Sequence, residues 1–189
     1  MKTSHIKNHL ATDIKQGTLL CSTPINPNAD NYKSLVLITR HSVLGSTGIV
    51  LNHPLGIKIH VNNLISGTEI LELHHGGQID EGLSFLVSMP SFRNGWKDSI
   101  YWSSNFNDLN VLLSYLQTKN ISMSAYCGCM RWLPGELNLQ VANKFWWATD
   151  DYSVSEIENG NTNSWSTIAK KTAGHFAPLV DIEEPIIMN

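Results

Sequence analysis

The stretch YCGCMRWLPGELNLQV, from Tyr126 to Val141, contains the end of a predicted strand, a turn and the start of a predicted helix. The segment ISMSAYCGC, at 121–129, alternates well enough for a strand. Pro134 suits the first turn of a helix, and Glu136 then lies where a carboxylate interacts favourably with the helix dipole. Three apolar residues share one face of that helix: Leu137, Val141 and Phe145. The stretch therefore predicts a strand–turn–helix unit.

The two cysteines of this stretch are poorly spaced for a metal or a redox site. One residue separates Cys127 from Cys129, whereas structural zinc sites use pairs with about two to four intervening residues and a second such pair. A C-x-x-C pair is absent. A Cys–His pair that uses His74 or His75 is a catalytic alternative, but nothing in the sequence places thiol and imidazole together. We therefore predict free thiols, buried or partly buried, with no metal, no cofactor and no catalytic residue.

The segments on either side of this unit add strands. SLVLITR is a continuous apolar run, which predicts a strand buried on both faces, and TGIVLNHP predicts a second such strand that ends at Pro54. HVNNLI is ambiguous and fits a short helix. Further strands are predicted at 17–24, 83–89, 99–104 and 146–150.

The clearest predicted helix is NDLNVLLSYLQTKN, at 107–120, because four leucines fall on one face at helical spacing. Shorter helices are predicted in SVSEIEN and SWSTIAKKTAG near the end. Strands and helices mix without a regular βαβ alternation, which favours the α+β class. We predict one domain over residues 1–189, in which 1–16 and 181–189 are peripheral or loose.

Composition indicates an ordinary globular protein without a nucleic-acid or membrane signature. Of 189 residues, 42% are hydrophobic and 15% charged, the net charge is -3 and the pI is about 6.2. No basic surplus points to nucleic acid, and no apolar run is long enough for a transmembrane helix. The N-terminal residues lack the apolar core of a secretory signal, and three cysteines make no disulfide framework. A reducing cytoplasm is the simplest prediction.

Several segments, in this order, resemble the AlgH/YqgE family of bacteria (UPF0301, DUF179): GTLLCSTP, SLVLIT, TGIVLNHP, HHGGQ, and WLPGELNLQV before a Trp-rich segment. The resemblance covers about residues 17–180. The family's Gly-x-Leu-Leu opening matches Gly17 to Leu20, and its Gly-Leu-Val-Leu-Asn-x-Pro strand matches Gly48 to Pro54. Four positions depart from the family pattern: Gln78, Arg131, Glu136 and Asn138.

The resemblance implies an α+β fold, in which a bifurcated mixed sheet is partly closed into a small barrel and surrounded by helices. It implies no established biochemical function, although some members are named as transcriptional regulators after a role proposed in alginate control. No helix-turn-helix signature stands out in this chain, and its charge is unfavourable for DNA.

The matching motifs place polar residues at strand ends, so we predict a hypothetical ligand-binding cleft there. Its seven residues are Asn52, His53, His75, Gly76, Gly77, Trp132 and Glu136. Each also has a structural interpretation, which we favour. Asn52 can cap backbone groups, adjacent glycines suit a tight turn with positive φ, and tryptophans pack in cores.

Three hypotheses for function follow, in order of preference. The first is a non-enzymatic binding or regulatory protein, monomeric or weakly dimeric, with an unknown protein or small-molecule partner. The second is a small hydrolase or transferase with a Cys–His pair. The third is a DNA-binding transcriptional regulator.

Overall fold

The computed structural model describes residues 13–26, 28–64, 67–88, 100–105, 107, 122–158 and 162–183. Within them lie nine strands: β1 Leu19–Ser22, β2 Leu35–Ser42, β3 Gly45–Val50, β4 Pro54–Leu64, β5 Gly67–His75, β6 Ile79–Ser88, β7 Ile100–Ser103, β8 Ser122–Trp132 and β9 Trp146–Thr149. The α-helices are α1 Glu136–Ala142, α2 Val154–Glu158 and α3 Thr162–Thr172. Two 3-10 helices span Ala29–Asn31 and Gly174–Asp181.

The strands form one mixed sheet that branches at β8. Its main order is β4-β5-β8-β3-β2-β1-β9, while β6 pairs with both β7 and β8. β8 therefore has three partners: it runs antiparallel to β3 and β6 and parallel to β5. The sheet curls into a half-barrel. The predicted α+β class and bifurcated sheet are confirmed.

The middle of the sheet is buried on both faces, as the apolar run at 34–40 predicts. Alternate residues of β1 and β2 enter two hydrophobic clusters. Leu35 and Leu37 belong to one cluster, while Val36 and Ile38 belong to the other. Since side chains alternate between the faces of a strand, a continuous apolar run leaves neither face polar.

Short helices cover the two faces. Trp165 of α3 is buried in the first cluster, where its indole N–H donates to the carbonyl of Ser22 at 3.0 Å. Leu137 of α1 packs in the second cluster with Trp132 and Trp146, whose rings meet edge to face at 6.1 Å. The predicted core role of these tryptophans is confirmed, because each is nearly fully buried.

Two predictions about the segment after β3 were wrong. Pro54 does not end a strand but begins β4, and the described residues of HVNNLI, 60–64, are not helical but lie within that strand. β4 has β5 as its partner among the described strands and lies at one end of the sheet order. Pro is tolerated as the first residue of an edge strand, where no partner requires its missing N–H.

Two helix predictions also need comment. Helix α1 begins at Glu136, after Gly135 in a left-handed conformation, so Pro134 is not in its first turn as predicted. Instead the Glu136 N–H donates to the Leu133 carbonyl at 3.0 Å, which closes a turn around Pro134. The helix predicted at 107–120 lies, apart from its first residue, outside the described residues.

Candidate functional site

The two glycines of HHGGQ lie where β3, β5 and β8 converge. The Gly76 carbonyl accepts from the Val50 N–H at 2.8 Å, and the Gly76 N–H donates to the Cys127 carbonyl at 2.7 Å. Gly77 has a φ of 150°, and a Cβ there would lie 2.2 Å from the Cys129 carbonyl carbon. Glycines are therefore required because backbone packs directly on backbone.

Asn52 supports the loop before β2 from the end of β3. Its side-chain carbonyl accepts from the Leu35 N–H at 2.8 Å, and its amide donates to the Lys33 carbonyl at 2.8 Å. Lys33 has a φ of 56°, so Asn52 holds a residue in the left-handed region. The Asn52 side chain is buried. These contacts fit the capping interpretation.

His53 and His75 lie side by side at the same end of β3. The His75 N–H donates to the His53 carbonyl at 2.8 Å, and the His53 Nε2 lies 3.2 Å from the Ser34 hydroxyl. Burial lowers the pKa of His53, and the nearby His75 lowers it further. His75 is in parallel register with Cys127, and both side chains are half-buried. We call these four residues, Ser34, His53, His75 and Cys127, the junction surface.

The WLPGEL turn forms a closed network of hydrogen bonds at the other end of β3. The Gln140 side-chain carbonyl accepts from the indole N–H of Trp132 at 3.0 Å and of Trp146 at 2.8 Å. The Gln140 amide donates to one Glu136 carboxylate oxygen at 3.2 Å. The other carboxylate oxygen accepts from the Leu133 N–H at 2.8 Å. Sequence analysis missed Gln140, since neither indole contact has a regular sequence spacing.

The seven predicted cleft residues thus fall into two groups. Five of them, Asn52, His53, His75, Gly76 and Gly77, lie at the Val50 end of β3. The other two, Trp132 and Glu136, lie at the Gly45 end, where Ser46 is in register with Trp132. The two ends are about 15–20 Å apart at the usual strand rise. The ligand-binding role of these residues stays a prediction.

The thiols differ in environment. Burial raises the pKa of Cys129, whose thiol donates to the Glu81 carboxylate at 3.2 Å. Glu81 also pairs with Arg131. Burial also raises the pKa of Cys21. Cys127 is the half-buried thiol of the three, and all three are free. No group of three or more His, Cys, Asp or Glu side chains within the described ranges is arranged to hold a metal ion.

Known proteins match nearly the whole chain. A family model described as AlgH-like, DUF179, matches residues 19–177. A UPF0301 protein of Chlamydia abortus is 24% identical over 93% of this chain and 96% of that protein. A UPF0301 protein of Pelodictyon phaeoclathratiforme is 22% identical, over 90% and 94%.

Two solved structures share the fold at low sequence identity. The AlgH protein from Pseudomonas aeruginosa has a TM-score of 0.62 at 12% identity, over 84% of this chain and 88% of that chain. A protein from Corynebacterium diphtheriae has a TM-score of 0.65 at 14% identity, over 92% and 95%. No helix of the described residues is long and apolar enough to cross a membrane.

Proposed function

This chain belongs to the AlgH-like family DUF179, and from that premise we propose that it is a non-enzymatic binding protein whose junction surface takes an anionic group of a small molecule or a protein partner. The observation that carries the proposal is the juxtaposition of His53 and His75 beside the Ser34 hydroxyl. The two half-buried imidazoles can donate hydrogen bonds to a carboxylate or phosphate oxygen, while the Ser34 hydroxyl, which is fully buried, can only orient the His53 ring.

The electrostatics of the pair favour an anion. The pKa of His53 is lowered partly because His75 disfavours a second positive charge next to it. A carboxylate or phosphate between the rings would relieve that repulsion and raise the pKa of His53. The backbone that carries the two histidines is held by the hydrogen bonds at Gly76, so the rings need no large rearrangement to receive a ligand.

The experiment is an NMR titration of the histidine ring signals with inorganic phosphate, repeated at several pH values between about 6 and about 8. We expect saturable shifts at His53 and His75 and a raised pKa for His53. His53→Gln should abolish the response. His41→Gln is the matched control, because His41 contacts Ser46 in the β2–β3 hairpin and should leave the response intact. Equal responses in both variants, or none in the wild type, would contradict the proposal.

A second candidate function uses Cys127 with His75. Parallel register places the two on one face, and both are half-buried, so the imidazole could take the thiol proton. The thiolate would then attack an acyl donor, the bond from the acyl carbon to its leaving group would break, and the imidazolium would return the proton to that leaving group. The candidate predicts that iodoacetamide alkylates Cys127 of the folded protein near neutral pH, faster than Cys21 and Cys129. His75→Gln should slow that reaction. Labelling of Cys127 only after denaturation would rule the candidate out.

The remaining parts of the proposal concern location and nucleic acid. Three free thiols support a reducing compartment, for which the cytoplasm is our proposal. DNA binding stays a prediction. DNA binding predicts that the protein is retained on DNA and that this retention weakens steeply as the salt concentration rises. Weak retention that does not depend on salt would rule out DNA binding.

A further inference from the structure

The hairpin β4–β5 joins the described sheet along a short edge. Among the described residues, β5 pairs with β8 at three positions: Leu73 with Ala125, His74 with Tyr126, and His75 with Cys127. Backbone hydrogen bonds at Gly76 and His53 follow directly after this edge. A pairing of three residues is short, and His74 is its central member. A change at His74 therefore acts at the centre of the contact between the hairpin and β8.

His74 is buried there without a hydrogen bond to its Nδ1 atom. Its side chain is 5% exposed, and its ring lies 5.1 Å from the Tyr126 ring at an interplanar angle of 31°. On the other side of β8, Ser84 of β6 is in register with Tyr126, and its side chain is buried. Neither the His74 Nδ1 nor the Ser84 hydroxyl has a hydrogen-bond partner in the part of the chain that the structure describes. A neutral ring tolerates this burial better than a charged one.

The charges around His74 compensate an imidazolium only weakly. On its own strand, Glu72 is exposed and in register with Lys58 of β4. β4 presents Pro54 at the register position of His74, and β8 presents the neutral phenol of Tyr126. Burial lowers the pKa of His74, and Glu72 opposes that shift without cancelling it. The two histidines of the junction surface, His53 and His75, lie at the end of this edge.

We propose that His74 is a pH-sensitive contact, which holds the β4–β5 hairpin on β8 when its ring is neutral and releases the hairpin when the ring is protonated. The direction follows from linkage. Once released, His74 is hydrated and takes up a proton near its ordinary pKa of about 6.5. Below that pH the released form gains about tenfold in population per pH unit, until the docked form is protonated as well. This inference stands independently of the proposed ligand.

Hydrogen exchange measured by mass spectrometry tests the proposal at about pH 7.5 and about pH 5, after correction for the intrinsic exchange rates. In the wild type we expect opening of the hairpin peptides to increase severalfold or more at the lower pH. Peptides from β1 and β2 should not change. His74→Phe should remove the pH dependence of the hairpin, whereas the control His41→Gln should retain it. Loss of protection that is equal in all peptides, or unchanged by His74→Phe, would overturn the proposal.

A second measurement serves if His74→Phe does not fold. NMR of the wild-type ring signal of His74 should show a titration midpoint below about 6.5, in step with loss of the Tyr126 contact and of hairpin protection. Titration of the ring with no change in hairpin exchange would overturn the proposal.

Discussion

The two ends of β3 both contain family motifs, but their polar groups are used differently. At the Gly45 end, Gln140 bonds two buried indoles and Glu136, and both Glu136 oxygens accept hydrogen bonds. At the Val50 end, the side chains of His53 and His75 remain half-buried, and the Ser34 hydroxyl contacts the His53 ring.

This difference separates a turn that is satisfied internally from the surface that we propose for ligand binding. A hydrogen-bond network that is satisfied internally has little capacity left for a ligand, so the turn at the Gly45 end organises packing. Half-buried imidazoles keep donors for a partner. Prominent sequence motifs therefore do not share one role, although they lie on the same strand. Four predictions test this difference between the two ends of β3.

The largest effect is expected for Gly77→Ala at the Val50 end. Its Cβ would lie 2.2 Å from the Cys129 carbonyl carbon, and only movement of backbone can relieve the overlap. We expect a loss of at least about 3 kcal/mol in the free energy of unfolding. Urea denaturation followed by circular dichroism measures it. Gly82→Ala is the control, since Gly82 also has a positive φ but faces open space, and should cost about 1–2 kcal/mol. Equal losses of stability in Gly77→Ala and Gly82→Ala would mean that backbone does not pack closely on Gly77.

The next effect is expected for Gln140→Leu at the Gly45 end. The indole N–H groups of Trp132 and Trp146 would lose their shared acceptor inside the protein. We expect a loss of about 2–4 kcal/mol and an altered tryptophan emission. Asn138→Ala, at an exposed position of the same helix, should change stability by less than about 0.5 kcal/mol. If Gln140→Leu is as stable as Asn138→Ala, the hydrogen bonds of Gln140 do not stabilise the turn.

A smaller effect is expected from pH. The pKa values of His53 and His74 are lowered in the folded protein, so unfolded imidazoles bind protons first as the pH falls. The free energy of unfolding should be level above about pH 6.5 and fall below it, until the folded histidines are protonated. Urea denaturation between about pH 5 and about pH 8 measures the slope. His53→Gln should reduce the slope and His41→Gln should not. Stability that increases towards pH 5 would contradict this sign.

The smallest effect is expected for Glu136→Gln, which keeps the shape of the side chain and removes its charge. A glutamine oxygen can still accept from the Leu133 N–H, so the loss should be about 0.5–1 kcal/mol. The response of His53 to phosphate should be unchanged, because Glu136 lies at the opposite end of β3. Glu136→Ala, which removes the acceptor, should cost more. If Glu136→Gln abolishes the phosphate response, the two ends act as one site and the comparison fails.

Local patterns predicted much of the fold. The apolar run at 34–40 indicated a strand buried on both faces, and the tryptophans indicated core. β4 also had a signal that was missed: Ile57, Ile59 and Val61 alternate with polar residues at the period of a strand. Pro54 by itself indicates the end of a strand, and only the sheet order shows that it begins an edge strand.

Periodicity and ordered motifs were enough to predict the class of the fold and the family, because both are local properties of the sequence. Tertiary structure alone decided which polar residues meet. His53 and His75 became neighbours, Glu136 was placed far from them, and Gln140 was brought to two indoles. The physical reason is register: pairing across β3, β5 and β8 is set by packing between distant segments, and it assigns each side chain its face and its neighbours.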